Sequence, residues 1–192
     1  NDFTELEDAV HYIFQKKFIF KNNEFFRFGQ AALLEEHLPG NEITITILPK
    51  GFYRQNGGWL HNSGCWTLKT LCRFGHKNGI LPSISDVPPE KNVECLKECN
   101  EASKKILYES KRLADGLKIY SPLRIDCRKN SDGIYRMFDI NVKPSLTTSL
   151  RTNNLNKRSI VEISASHSGM SFTDVVSGTL YNYFHGQKHI KC

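Results

Sequence analysis

The stretch Leu123-Arg124-Ile125-Asp126-Cys127 and, beyond Asp132-Gly133, the stretch Met137-Phe138-Asp139-Ile140-Asn141 read together as a β-hairpin. Asp-Gly between alternating runs is a strong hairpin signal, because glycine tolerates the positive φ of a tight two-residue turn. With Asp132-Gly133 as that loop, Ser131 pairs with Ile134. Counting back then sets Asp126 opposite Asp139 and Arg124 opposite Asn141. Side chains alternate along strands, so Arg124, Asp126, Asp139 and Asn141 share one face. Ile125, Cys127, Phe138 and Ile140 fall on the other, which is expected to pack on a core. Two carboxylates placed opposite each other repel. A hard divalent cation with oxygen ligands would remove that repulsion. A solvated hairpin with a merely polar outer face is the plainer reading of the same residues.

Working outward from the hairpin, Glu42-Ile43-Thr44-Ile45-Thr46-Ile47-Leu48 is a strand rich in β-branched residues, entered through the turn residues Pro39-Gly40-Asn41. Ala31 to Glu36 reads as a short strand-like apolar run. Thr4-x-x-Glu7 reads as a capping box for a first helix, with Leu6, Ala9, Val10, Ile13 and Phe14 at helical spacing. From Gly51 to Pro89 the chain reads as strand and loop, with a strand between Cys65 and Phe74. Pro88-Pro89 opens a predicted long helix carrying Val93, Leu96, Cys99, Ala102, Ile106, Leu113 and Ala114, which Gly116 ends. A Ser/Thr/Asn-rich loop from Ser145 to Asn156 leads to a helix over 157–167, and Ser171-x-x-Asp174 caps a last one. Helices mixed with mainly antiparallel strands predict an α+β fold.

Composition bounds the function classes. The chain has 192 residues, is 39% hydrophobic and carries a formal charge of +6. That length buries a core as one domain or two small ones. No apolar run reaches the roughly 18 residues of a membrane-spanning helix, so no membrane partner is expected. The polar N-terminus shows no signal peptide, and the absence of an initial Met suggests an excised piece or a processed product. Lys and Arg are scattered among acidic residues, with no nucleic-acid motif. The positive excess suits an anionic nucleotide about as well as a nucleic acid. Cys65, Cys72, Cys95, Cys99, Cys127 and Cys192 match no disulfide framework or paired zinc motif. Cys95 and Cys99 share a face of the expected helix, which is weak metal evidence. Reduced thiols in an intracellular, cytoplasmic protein are expected, with Cys127 buried.

Three ordered blocks resemble the ATP-grasp superfamily, in its D-alanine–D-alanine ligase-like branch. Leu33-Leu34-Glu35-Glu36-His37-Leu38-Pro39-Gly40-Asn41-Glu42-Ile43-Thr44 is similar to the family's adenine-hinge block. Arg124-Ile125-Asp126 is similar to its first metal-ligand strand, and Asp139-Ile140-Asn141-Val142-Lys143-Pro144 to its second. Ser168-Gly169-Met170-Ser171-Phe172 is similar to the closing helix pair. The resemblance implies the C-terminal portion of a larger ligase, because the phosphate-binding lysine, the glycine loop and the N-terminal α/β domain are absent. It divides the chain into 1–50, a remnant of the central subdomain with the hinge, and 51–192, the C-terminal subdomain with the hairpin.

What the resemblance implies for the site is specific. Glu35, Glu36, His37 and Leu38 would meet adenine, and Glu42 would accept from the ribose hydroxyls; otherwise Glu42 is an exposed charge at a strand start. Asp126, Asp139 and Asn141 would hold Mg²⁺ against the ATP phosphates. Arg124 is either a catalytic contact to an anionic intermediate or the salt-bridge partner of the two aspartates. Lys143 would contact a phosphate or carboxylate, or be solvated. Such enzymes convert a carboxylate to an acyl phosphate that an amine attacks, so no protein nucleophile is needed. His61 and His76 then read as surface or structural residues, although Arg73-Phe74-Gly75-His76 is placed near the substrate side. Pro144-Ser145 departs from the usual Pro-Gly. Expected partners are ATP, a small carboxylate, an amine and the missing N-terminal half, with oligomerisation open. The isolated chain is expected to be inactive. A non-catalytic nucleotide-binding regulatory module is the second reading, and a basic nucleic-acid-binding domain a distant third.

Overall fold

A computed structural model describes residues 3–21, 23–26, 31–76, 91–97, 100–146 and 158–186. The chain divides into two compact units, Asn1–His37 and Leu38–Cys192. The division falls before the 50/51 boundary suggested by the sequence, because the strand Glu42–Leu48 is hydrogen-bonded into the second unit.

The first unit holds helix α1 (Phe3–Gln15) and a hairpin of β1 (Lys17–Phe20) and β2 (Asn23–Phe26). Thr4 lies inside the first turn of α1 rather than before it, so the expected capping box is not the helix start. No residue of α1 is buried. Residues 31–39 form no regular element, and the strand expected from Ala31 to Glu36 is not made.

The second unit contains β3 (Glu42–Leu48), β4 (Gly51–Gln55), β5 (Gly58–Asn62), β6 (Trp66–Thr67), β7 (Leu71–Arg73), β8 (Val93–Cys95), α2 (Glu101–Gly116), β9 (Leu123–Lys129), β10 (Tyr135–Asn141), α3 (Ile160–His167) and α4 (Phe172–Gly186). Among the described residues the main sheet is six-stranded, in the order β10-β9-β3-β7-β8, with β6 also paired to β3. All its pairings are antiparallel. The strand expected over 42–48 is β3, and all of it is buried. Its isoleucines Ile43, Ile45 and Ile47 join Leu123, Ile125 and Cys127 of β9 in a core closed by Ile106 and Ala114 of α2. Ile160 and Ile163 of α3 pack on Leu71 and Val93.

The helix expected from Pro88 begins later. Val93, Glu94 and Cys95 form β8, paired to β7, and Asn100 is the N-cap, its side chain accepting from the Ser103 N–H at 3.0 Å. The spacing of Val93 and Leu96 therefore reflects a strand and its exit. Cys95 lies on that strand, and Cys99 lies outside the described residues, so the shared helix face is not formed. Pro88-Pro89 also lies outside the described residues, as does most of the Ser145–Asn156 loop. Gly116 ends α2 as expected. Ser159 caps α3 by accepting from the Glu162 N–H, and Gly169, at φ +73°, follows the helix where an added Cβ would meet the Asn56 side chain. Ser171 and Asp174 exchange hydrogen bonds in a reciprocal cap at the start of α4.

The hairpin of β9 and β10 departs from the expected turn and still reaches the expected register. Asn130 closes the loop, its N–H donating to the Ile134 carbonyl and its side-chain oxygen accepting from the N–H groups of Asp132 and Ile134. The loop is therefore Ser131-Asp132-Gly133, with Gly133 at φ +76°, one residue longer than the expected one. Tyr135, Arg136 and Met137 pair with Lys129, Arg128 and Cys127. A bulge at Phe138 then inserts the compensating residue, and Asp139, Ile140 and Asn141 pair with Asp126, Ile125 and Arg124. One expectation fails as a result: Tyr135 and Met137 join the core, while Phe138 and Ile140 remain 45% and 44% exposed on the outer strand.

Candidate functional site

Alternation along β3 sends Glu42, Thr44 and Thr46 away from α2, and the pairing with β9 sets Arg128, Asp126 and Arg124 beside them in turn. On the other side of β3, Arg73 of β7 pairs with Glu42. Asp139 and Asn141 complete the row from β10. The sheet thus presents a polar face whose central residues are nearly solvent-free, with Glu42 4% and Asp126 5% exposed. Burying carboxylates is costly unless they are paired and hydrogen-bonded.

Asp126 is fully engaged. Thr44 Oγ1 donates to its Oδ1 at 2.7 Å, and Arg124 donates to its Oδ2 through Nε at 3.1 Å and Nη2 at 2.9 Å. Arg124 Nη2 also stands 3.8 Å from Asp139 Oδ2, and Asn141 Nδ2 donates to that same oxygen at 2.7 Å. The guanidinium of Arg124 therefore stands within ion-pair distance of both opposed carboxylates and offsets one of their two negative charges. Of the two readings of Arg124, the salt-bridge partner is the one this geometry displays.

Glu42 is buried, so the exposed strand-start reading is excluded. Its Oε2 is 2.8 Å from His76 Nε2. Arg128 Nε donates to the Gly40 carbonyl at 3.0 Å, fastening the chain that enters β3. Arg73 faces Glu42 and Asp126. Burial pushes its guanidinium pKa down, Arg124 adds to that effect, and the two carboxylates oppose it.

The remaining expected residues are placed as follows. Leu38 is half-buried at the start of the second unit. Glu35, Glu36 and His37 end the first unit, exposed and without regular structure. Lys143 is exposed just past β10. Cys127 is buried as expected, and burial pushes its thiol up to about 12. Thr44 was missed by sequence reasoning, although the Thr-Ile alternation of β3 was a usable signal once β9 is known to be its neighbour. His76, expected as a surface or structural residue with its segment near the substrate side, meets Glu42 across a sequence separation that no local pattern carries.

The donor set suits a hard cation. Among the described residues no three His, Cys, Asp or Glu side chains gather around a metal position. Mg²⁺ held here would rest on two carboxylates and an amide oxygen, completed by water or phosphate, as its octahedral preference allows. Asp139 is 49% exposed at its side chain, which leaves that carboxylate open to an incoming ion.

No family model matches the sequence, and no curated protein matches it. Solved structures do. The chain is similar to D-alanine–D-alanine ligase from Bacillus anthracis complexed with ATP, with a TM-score of 0.59 and 16% identity, covering 100% of this chain and 49% of that one. A second structure of the Bacillus anthracis enzyme gives a TM-score of 0.59 at 16% identity, over 99% of this chain and 50% of that one. D-alanyl-alanine synthetase A from Vibrio cholerae gives a TM-score of 0.50 at 16% identity, over 79% and 40% of the two chains. Among the described residues no helix is long and apolar enough to cross a membrane. The chain has the α+β, ATP-grasp-type fold of the D-alanine–D-alanine ligases, and it spans about half the length of the ligase chains it matches.

Proposed function

We propose that the chain is the C-terminal, ATP-binding part of an ATP- and Mg²⁺-dependent carboxylate–amine ligase that acts through an acyl phosphate. The observation that carries this reading is the register of Asp126 opposite Asp139 with Asn141 beside them, on a ligase-type fold. Stability alone does not favour two opposed carboxylates of which one, Asp126, is buried.

Asp126, Asp139 and Asn141 would hold Mg²⁺, which supplies charge neutralisation for phosphate oxygens when bound. To serve as a ligand, Asn141 turns its amide so that the oxygen replaces the N–H now given to Asp139. Arg124 then exchanges part of its hold on the carboxylates for an anionic oxygen of substrate. Glu42, steadied by His76, offers its other oxygen to the ribose hydroxyls. Within the second unit, Leu38 would meet adenine, and Lys143 a phosphate or carboxylate. The N-terminal half of the ligase would bring the rest of the phosphate clamp, so this chain alone binds nucleotide weakly and turns over little or none.

Isothermal titration with Mg-ATP tests the reading. Metal-dependent binding that weakens at least about tenfold in Asp139→Asn supports it, a loss of about 1.4 kcal/mol. Equal affinity in the variant and without metal favours the second reading, a non-catalytic nucleotide-binding module. One observation speaks for that alternative: Arg124 already offsets one of the two negative charges of the carboxylate pair.

A further inference from the structure

Arg73 has no role in the reading above, yet its setting is unusual. It ends β7 directly opposite Glu42, on the polar face of the sheet. Its Nε–H is buried with no hydrogen-bond partner, and Thr46 Oγ1 on the same face is in the same condition. A buried donor without an acceptor costs about 1–3 kcal/mol, and guanidinium groups rarely go unpaired because five N–H donors must be served. Arg124 differs: its guanidinium is committed to Asp126 through Nε and Nη2. Both carboxylates facing Arg73 spend oxygens elsewhere, Glu42 on His76 and Asp126 on Thr44 and Arg124.

A structural counter-ion would close on Glu42 or Asp126 by direct hydrogen bonds. Arg73 keeps its Nε–H free while retaining their electrostatic support. That combination holds a guanidinium ready for an external acceptor, and the planar fork of arginine matches phosphate and carboxylate oxygens.

We propose that Arg73 is an oxyanion-binding residue of this face, its buried Nε–H completing the contact to a phosphate or carboxylate group of the ligand. Glu42 and Asp126 act on the guanidinium by charge, each opposing the effect of its burial. The assignment rests on the ligase reading only for the identity of the ligand. The shared chemistry, an anionic oxygen pair, is met by a nucleotide phosphate or by the carboxylate to be activated.

The test follows the arginine Nε–H resonances of the full chain by NMR during metal-free titration with sodium pyrophosphate, and separately with sodium acetate. The expected result is a shift of the Arg73 Nε–H resonance on saturation, with Arg73→Lys and Arg73→Gln each weakening binding at least about tenfold. Arg73→Lys keeps the positive charge, so it separates the planar fork from mere charge balance if Arg73→Gln fails to fold. A response to pyrophosphate alone identifies the phosphate as the source, and a response to acetate identifies the carboxylate; either supports the site. An unmoved Arg73 resonance, or a folded Arg73→Lys chain that binds as tightly as the parent, overturns it. The two readings fail separately. Loss of Mg-ATP binding in Asp139→Asn with no effect at Arg73 leaves the ligase reading standing alone. Arg73-dependent pyrophosphate binding with no metal-dependent ATP binding leaves the oxyanion site standing alone.

Discussion

On one face of β3, Ile43, Ile45 and Ile47 pack under α2; on the other, Glu42, Thr44 and Thr46 sit beside Asp126 and Arg124, and both rows are almost free of solvent. The same strand thus solves the problem of burial twice. The apolar row needs only shape and volume, because transfer from water stabilises it. The polar row needs partners: Thr44 finds Asp126 of β9, Glu42 finds His76, and Thr46 Oγ1 has none. Burial therefore does not separate scaffold from site in this molecule. The separation lies in whether a buried group is satisfied by packing, by a protein partner, or not at all.

The largest effect should come from the apolar row. Ile125→Ala removes a side chain with no exposure and is expected to cost about 2–5 kcal/mol in urea unfolding, with Mg-ATP binding retained wherever the chain stays folded. Asp126→Ala leaves Thr44 and Arg124 without their acceptor and is expected to cost about 1–3 kcal/mol, together with metal-dependent binding. A stability loss for Asp126→Ala as large as that of Ile125→Ala would make the polar row a second scaffold and break the contrast. Asp139→Asn, at the half-exposed end of the polar row, should stay within about 0.5 kcal/mol of the parent while losing metal-dependent affinity. That separation of stability from binding is the sharpest form of the comparison.

A smaller test lies away from both rows. Hydrogen bonds from Ser171 hold the Asp174 carboxyl below its usual range. Stability from this cap is present above the ordinary carboxylate pKa and is lost as pH falls through the lowered one. Thermal unfolding followed into acid should show that loss, and Asp174→Asn should reduce it. On the apolar side, burial keeps the Cys127 thiol protonated, so thiol labelling near neutral pH should reach it only as fast as the chain opens.

Much of this was legible in the residues. β3, the pairing of Asp126 with Asp139, the end of α2 at Gly116 and the cap at Ser171 all follow from local patterns. Elements failed where a local pattern had two readings. Val93 and Leu96 fit helical spacing, but β7 offered an open edge and took Val93–Cys95 as a strand. The partners of the polar row were hidden for a different reason. Thr44 meets Asp126, and His76 meets Glu42, through strand neighbours set by topology rather than by sequence distance. The hairpin gave a correct pairing from a wrong loop, because the longer loop and the bulge at Phe138 offset each other.

That bulge acts on β10 as a leap day acts on a calendar. Tyr135 and Met137 face the core, and strict alternation would carry Asp139 in beside them. One extra residue resets the phase, so the odd positions ahead of Phe138 belong to the interior and those after it to the site. A substitution scan along β10 should find Tyr135, Met137, Asp139 and Asn141 all sensitive, the first two by unfolding and the last two by lost binding. Deleting Phe138 would leave Met137 against Cys127 and Asp139 against Asp126, so the strand carries one residue whose work is to change step.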